Sequence, residues 1–192
     1  DTRLRESARG LNLLPIISYV PPQESRGGTA LLIPLASIER ANKDETLDTA
    51  IARVTNAAHT SADGRLTYTD LLLNGAAIRV ASAWSSQIGP ARTAFHAQLQ
   101  QHLNDCSILA IDANCVPNPS IDLQRPDSTT PYDNVGAREL CDTVTHHDLT
   151  DIARDALGSK GSLFTKRTRT AGGGITHTRI DQIYVPAVDG LI

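Results

Sequence analysis

Short apolar runs, separated by glycine and proline, predict strands in the first half of the chain. Residues 27–34 hold a glycine pair followed by an apolar run that ends at a proline, which favours a buried strand. Two dipeptides typical of tight hairpin turns, Asp63-Gly64 and Asn74-Gly75, flank residues 65–73. Because a further strand-like run, residues 76–84, follows the second dipeptide, the pattern predicts three successive antiparallel strands.

The second half alternates between helical and strand-like patterns. A four-residue apolar spacing predicts an amphipathic helix over residues 90–103, and the continuous apolar run 107–111 predicts a strand covered on both faces. Residues 117–133 are rich in Pro, Asp, Ser and Thr and predict a long surface loop. Asn134 is predicted to cap the next helix, and helical spacing resumes at residues 149–157.

The chain is predicted to finish with a strand pair over residues 164–170 and 175–185, joined by a glycine-rich turn. Strands therefore come before the helices and return after them. This order favours an α/β layered domain over a simple βαβ repeat.

Composition limits the class of protein. The 192 residues are 40% hydrophobic and 20% charged, which is typical of one globular domain with a substantial core. The formal net charge of -3 argues against a protein held on nucleic acid by its bulk charge, so a basic contact surface would have to be local.

The cysteines and the ends of the chain bear on its setting. Cys106, Cys115 and Cys141 are an odd number at wide spacing, which favours free thiols in an intracellular protein, nuclear or cytoplasmic. No run is apolar enough to cross a membrane, and the charged beginning is unlike a signal peptide. Because the chain starts on Asp1 without a methionine and stops on Ile192, we expect it to be a piece of a longer protein.

Two acids and an amide near strand ends are the candidate chemistry. Asp112 and Asn114 follow the apolar run 107–111 and lie two residues apart, so their side chains point to the same side. Asp181, on a later strand, can be placed beside them. A carboxylate can hold and deprotonate water, and an amide can donate to a phosphate oxygen, which outlines phosphodiester cleavage. Alternatively, Asp112 and Asn114 bracket a turn, and Arg179 with Asp181 forms a surface ion pair.

Six short motifs, in order over nearly the whole chain, resemble those of the endonuclease/exonuclease/phosphatase superfamily. Within it, they are most similar to the endonuclease domain of LINE-type (non-LTR) retrotransposons. The six motifs are Gly27 to Leu32, Asp63 to Leu66, Asp112 to Pro117, Leu149 to Ile152, Phe164-Thr165 and Thr178 to Asp181.

The resemblance implies a layered α/β sandwich of two mainly antiparallel sheets covered by helices. Residues 1–192 would form a single partial domain, incomplete at both termini. The implied activity is DNA nicking by metal-assisted, in-line attack of water on a phosphodiester, with Mg²⁺, or Mn²⁺ as an alternative. Asp112, Asn114 and Asp181 match catalytic positions, the last orienting a histidine, and Asp1 matches a metal-binding Glu.

The implied partners are DNA and a reverse transcriptase domain downstream in the same polyprotein. Trp84 stands where the family has a tyrosine near the phosphate. Lys166, Arg167 and Arg169 lie in a stretch without acids and are predicted to contact DNA phosphates, the alternative being a solvated strand face.

The family's catalytic histidine belongs to a motif that these 192 residues do not include. The six histidines present have no zinc-type spacing and are expected to be solvated. We therefore expect weak or no activity from this chain as it stands. Two alternatives remain: a non-catalytic scaffold that binds nucleic acid or a partner, and a phosphoesterase of the same superfamily.

Overall fold

The structure, a computed structural model, divides the chain into two compact units. The first unit comprises residues 1–84 with 106–108, and the second comprises residues 85–105 with 109–192. The prediction of one partial domain over residues 1–192 stays a prediction. The residues described are 2–18, 28–125, 132–158, 163–169 and 173–187.

The first unit is built on antiparallel pairs. Its strand β1 pairs with β2, while β4 pairs with both β3 and β5. Asn74 and Gly75, which join β4 to β5, both have positive φ, as a two-residue type I′ turn requires, so the predicted hairpin is confirmed. The elements are α1 (Thr2–Gly10), β1 (Leu13–Ile17), β2 (Ala30–Pro34), α2 (Leu47–Asn56), β3 (His59–Thr60), β4 (Leu66–Leu73) and β5 (Ala76–Trp84).

Helix α2 was not predicted, because residues 41–60 are only weakly patterned. The Thr46 side chain caps it by accepting from the Thr49 N–H at 3.2 Å. Only Ala50 and Val54 of the helix are buried, which leaves little apolar periodicity to detect. They join the core of the unit, made of Ile16, Leu31, Ile33, Ile38, Ala50 and Val54.

The second unit contains two antiparallel strand groups. Strand β11 lies between β6 and β8, and β10 lies between β7 and β9. The elements are α3 (Gly89–Leu99), β6 (Ser107–Asp112, whose first two residues belong to the first unit), α4 (Pro119–Asp122), β7 (Leu123–Gln124), α5 (Ala137–His146), β8 (Leu149–Asp151), α6 (Ile152–Leu157), β9 (Lys166–Arg169), β10 (Ile175–Thr178) and β11 (Asp181–Pro186).

Two predictions for this unit were wrong in detail. The strand predicted over residues 175–185 is two strands in different groups, broken at Arg179 and Ile180. The loop predicted over residues 117–133 contains α4 and β7, while residues 126–131 lie outside the described part.

Asn134 does not cap helix α5 with its side chain. Its amide instead exchanges hydrogen bonds with the backbone of Val116, each 2.7 Å long. Gly136 is the capping residue, with φ of 93°, and a Cβ there would lie 3.0 Å from the Arg92 side chain. The Asn134 side chain, which local capping rules predict to bind the start of α5, therefore binds the distant Val116 backbone instead.

Two further expectations concern cysteines and membranes. The thiols of Cys106, Cys115 and Cys141 are not in disulfides, as their spacing predicts. Within the described ranges, every helix is too short or too polar to cross a bilayer.

Candidate active site

Asp112 and Asp181 are brought face to face by strand pairing. Asp112 ends β6 and Asp181 begins β11, and the register of the two antiparallel strands makes them direct partners. Asp112 is partly buried, whereas Asp181 is exposed. Like charges placed directly opposite each other destabilise a sheet, so packing alone gives no reason for this pair.

The environment raises the pKa of Asp112. Burial is the main cause, and the negative charge of Asp181 acts in the same direction. The backbone N–H of Asn114, which donates to the Asp112 carboxylate at 3.1 Å, and the positive charge of Lys166 partly oppose the rise. A half-buried carboxylate with a raised pKa beside a second acid is the kind of group found at functional sites.

Asn114 is held in a strained position beside this pair. Its φ is 46°, in the left-handed region that Asn tolerates better than most residues, and it is 8% exposed. Its side-chain N–H donates to the Ser85 carbonyl at 2.9 Å, and its own carbonyl accepts from buried Arg92 at 2.6 Å. The Ser85 bond uses one of the two amide hydrogens, so the amide retains a second donor.

Ser85 links Asp112 and Asn114 to a buried histidine. The Ser85 N–H donates to the Asp112 carbonyl at 2.8 Å, and its hydroxyl lies 2.5 Å from His96 Nε2. His96 Nδ1 lies 2.7 Å from the Gly136 carbonyl, which can only accept, so Nδ1 carries the proton and Nε2 accepts from Ser85. His96 is fully buried, and the expectation that it is solvated was wrong.

Arg179 is the centre of a buried ion-pair cluster, formed by Arg179, Asp122, Asp151 and Arg154. Its guanidinium contacts Asp122 at 3.4 Å and also pairs with Asp151, and Arg154 pairs with Asp122 as well. Arg179 is 2% exposed, so the alternative of a surface ion pair with Asp181 was wrong. Burial alone would lower the pKa of Arg179, but Asp151 and Asp122 together raise it.

Backbone contacts around this cluster position Asp181. The Arg179 N–H donates to the Asp122 carbonyl at 3.0 Å, and the Ile180 carbonyl accepts from Ala113 at 2.7 Å. The Thr165 hydroxyl accepts from the backbone N–H groups of Ile180 and Asp181, at 3.1 and 3.2 Å. Hydrogen bonds with Asp122, Ala113 and Thr165 therefore fix the backbone at the break between β10 and β11. This break places Asp181 opposite Asp112.

Lys166, Arg167 and Arg169 are all exposed on β9, but they do not form one strip. In the register with β10, Lys166 lies opposite Thr178, whereas Arg167 lies opposite His177. Because side chains alternate along a strand, Lys166 lies on one face and Arg167 with Arg169 on the other. Of the three, Lys166 has a charge that influences Asp112.

The two other predicted residues are placed as follows. Trp84 ends β5 in the first unit, where the Arg65 guanidinium lies 4.6 Å from the centre of its ring. This cation–π contact occupies one face of the indole. Asp1 lies outside the described residues.

Comparisons with known proteins agree with this architecture. No protein-family model and no curated protein sequence matches the chain. Solved structures do match. The endonuclease domain of TRAS1, a telomere-specific non-LTR retrotransposon, has a TM-score of 0.54 at 12% identity, over 91% of this chain and 67% of that chain. The AP endonuclease LMAP from Leishmania major has a TM-score of 0.52 at 15% identity, over 66% of this chain and 47% of that one. The human nocturnin catalytic domain has a TM-score of 0.55 at 13% identity, over 97% of this chain and 64% of that chain.

The chain has the fold of the endonuclease/exonuclease/phosphatase superfamily. The predicted class, a layered α/β sandwich, is thereby confirmed. At these identities the likeness concerns the fold, and the chain spans about half to two thirds of the length of these neighbours.

On this endonuclease/exonuclease/phosphatase fold, the donor chemistry for a metal can be tested. Within the described ranges, no three His, Cys, Asp or Glu side chains come together in a way that could hold a metal ion. Asp112 and Asp181 nevertheless supply two carboxylates, and Mg²⁺ commonly binds through one or two carboxylates together with water and phosphate oxygens. The pair fits Mg²⁺ as part of a ligand set that substrate and water would complete.

Sequence reasoning missed several residues of this endonuclease/exonuclease/phosphatase-fold site. Ser85 and His96 were not predicted as site residues, and the helical spacing of Arg92 does not distinguish it from its neighbours. Asp122 lies in a stretch that reads as a surface loop, although it is 2% exposed. One signal was present: Arg179 interrupts an otherwise strand-like run, and a buried cation requires acidic partners elsewhere in the chain.

Proposed function

We propose that this chain derives from a Mg²⁺-dependent DNA-nicking endonuclease of a LINE-type retrotransposon. The observation that carries the proposal is the pairing of Asp112 with Asp181 on an endonuclease/exonuclease/phosphatase fold, where the pKa of Asp112 is raised. Strand pairing places Asp112 directly opposite Asp181, and this like-charge pair lowers the stability of the sheet. A catalytic use for the pair accounts for that cost.

In the proposed reaction, Asp112 holds the attacking water and accepts its proton. Asn114, anchored through Ser85, offers its second amide hydrogen to a non-bridging phosphate oxygen. Lys166 adds positive charge near Asp112, where the negatively charged phosphate has to approach.

Mg²⁺, or Mn²⁺ in its place, would be held by Asp112 and Asp181, with Asp1 as a further candidate ligand. When bound, such an ion stabilises the charge that develops on the phosphate. Asp181 also remains the candidate for orienting a catalytic histidine. Among the described residues, the charged groups that shift the pKa of Asp112 are Asp181 and Lys166, and no histidine is among them. We therefore expect at most weak nicking from this chain.

The test is conversion of supercoiled plasmid to the nicked form, with Mg²⁺, with Mn²⁺ and with chelator. We expect slow, metal-dependent nicking that Asp112→Asn reduces by about two orders of magnitude or more. Asp142→Asn is the matched control, because Asp142 is 70% exposed on α5 and forms an ion pair with Arg138 in the preceding turn. Nicking that persists in Asp112→Asn, or that both variants reduce equally, would refute the assignment.

A second candidate is a non-catalytic scaffold that binds nucleic acid, favoured by the exposed cations Lys166, Arg167 and Arg169 on β9. Such a scaffold would bind DNA equally well in wild type and Asp112→Asn, without metal and without nicking. A phosphoesterase of the same superfamily is a third, because fold alone does not set the substrate. It would release phosphate from small esters and leave plasmid intact.

The proposed partners are DNA and a reverse transcriptase that follows in the same polyprotein. The first rests on the nuclease fold and the β9 cations, and the second on the motif resemblance alone. The coding sequence downstream of Ile192 decides the second.

A further inference from the structure

The face of the β7–β10–β9 group that carries Lys166 holds a cavity. Its volume is about 260 Å³, slightly below the range of roughly 300–1,000 Å³ typical of small-ligand sites. The residues that line it are Arg125, Tyr132, Lys166, Thr168, Thr176 and Thr178.

Strand register explains why these residues share one face. Lys166 lies opposite Thr178, and Thr168 lies opposite Thr176. Because side chains alternate along each strand, these four project to the same side and form a block of hydroxyl groups with one ammonium. Thr176 and Thr178 form the floor, with 8% and 2% exposure.

The chemistry of the lining suits an anion. Among the residues that the structure describes, it contains two cations, Arg125 and Lys166, and no carboxylate. The Arg125 guanidinium lies 6.0 Å from the centre of the Tyr132 ring, so both side chains stand at the same end of the cavity. Burial raises the pKa of Tyr132, and a hydrogen bond between its phenol and the Thr178 side chain partly opposes the rise. Hydroxyl and cationic N–H donors without competing acids are the groups that bind phosphate oxygens.

The cavity adjoins the candidate active site. The charge of Lys166 lowers the pKa of Asp112, which shows that the ammonium lies within electrostatic reach of that carboxylate. Thr165, the neighbour of Lys166, accepts from the Asp181 backbone N–H at 3.2 Å. A phosphate in the cavity would therefore lie close to a phosphodiester placed between Asp112 and Asp181.

We propose that this cavity is a phosphate subsite, which holds a backbone phosphate of the nucleic-acid strand next to the phosphate that is cleaved. The identity of the strand rests on the proposed function, whereas the affinity for phosphate does not. Lys166 supplies the charge, and the Thr168 and Thr176 hydroxyls supply donors. Thr178 and Tyr132, which are hydrogen-bonded to each other, share one remaining donor.

The test is an NMR titration of the isotope-labelled 192-residue chain, without metal, using inorganic phosphate as the probe. We expect shifts in the amide signals of β9 and β10, and about tenfold weaker binding in Lys166→Gln, since the change removes a charge-assisted hydrogen bond to the anion. Thr176→Val, which keeps the shape and removes a hydroxyl, should weaken binding about threefold or more. The control is Arg138→Gln, which removes an exposed cation of α5 that does not line the cavity and should leave phosphate affinity unchanged.

A second arm distinguishes free phosphate from a strand. A short single-stranded oligonucleotide should bind more tightly than inorganic phosphate, and neutral methylphosphonate linkages should remove its effect on the Thr176 signal. If the oligonucleotide leaves that signal unmoved while inorganic phosphate shifts it, the strand assignment is wrong. Equal loss of phosphate affinity in Lys166→Gln and Arg138→Gln, or no loss in Thr176→Val, overturns the subsite itself.

These results are independent of nicking. A chain that never nicks plasmid but binds phosphate as described retains the subsite and loses the proposed function. If nicking depends on Asp112 but phosphate affinity is unchanged in Lys166→Gln and Thr176→Val, the proposed function is retained and the subsite is lost.

Discussion

Replacing Arg179 with methionine should destabilise the chain strongly, because it removes the centre of the buried ion-pair cluster. Arg179 is 2% exposed and contacts both Asp122 and Asp151. Methionine fills much of the same space without the charge. The change leaves Asp122, whose side chain is 3% exposed, with Arg154 as its remaining cation in the cluster, and it deprives Asp151 of Arg179.

The magnitude follows from what each acid retains. Breaking a buried ion pair by removing one partner typically costs about 3–5 kcal/mol. Asp122 keeps Arg154, and the Asp151 side chain is 18% exposed and reachable by water, so the lower end applies. We expect a loss of about 3 kcal/mol in the free energy of unfolding. At roughly 2–4 °C per kcal/mol for this length, the melting temperature should fall by about 6–12 °C.

The assay is urea unfolding followed by circular dichroism, supported by thermal melts of the same samples. Arg167→Met, which removes an exposed arginine from β9, is the control and should stay within about 0.5 kcal/mol of wild type. Adding Asp151→Asn to Arg179→Met should recover part of the loss, because it removes the charge of an acid that has lost its cationic partner.

Two results would refute this reasoning. A loss below about 1 kcal/mol in Arg179→Met would mean that the cluster behaves like a surface pair. If the loss of unfolding free energy in the Arg179→Met, Asp151→Asn double variant equals the sum of the losses in the two single variants, Asp151 and Arg179 are not coupled.

The remaining predictions concern the acid pair, the buried histidine and the cysteines. Asp112→Asn should raise the free energy of unfolding at pH 7 while reducing nicking, because it removes the opposition to Asp181; equal or lower stability in urea would contradict the like-charge reading. Burial lowers the pKa of His96, so the unfolded chain binds its proton more readily and stability should be lost as pH falls below about 6.5. His96→Gln should flatten that part of the pH profile, and superimposable profiles would rule this out. Burial also raises the pKa of the Cys115 thiol to about 12, so thiol reagent should modify exposed Cys106 in the native chain and Cys115 only after unfolding.

Local chemistry in the sequence was sufficient for the hairpin and for part of the site. Asn74 and Gly75 adopt positive φ at little steric cost, so that turn is decided by two adjacent residues. Asp112 and Asn114 follow a continuous apolar run, which places them at a strand end whatever lies around it. The order of six motifs then indicated a fold that no single motif establishes, and the structural comparisons confirm it.

The partners of these residues were decided only by the tertiary structure. The register of β6 against β11 decides which acid lies opposite Asp112. That register depends on the break between β10 and β11 at Arg179, which contacts Asp122, 57 positions away in sequence. The burial of His96 and the pairing of Asn134 with Val116 likewise depend on contacts between segments far apart in sequence. Apolar periodicity and turn propensity act over a few neighbouring residues, whereas a buried charge or polar group is stable only where distant segments supply its partner.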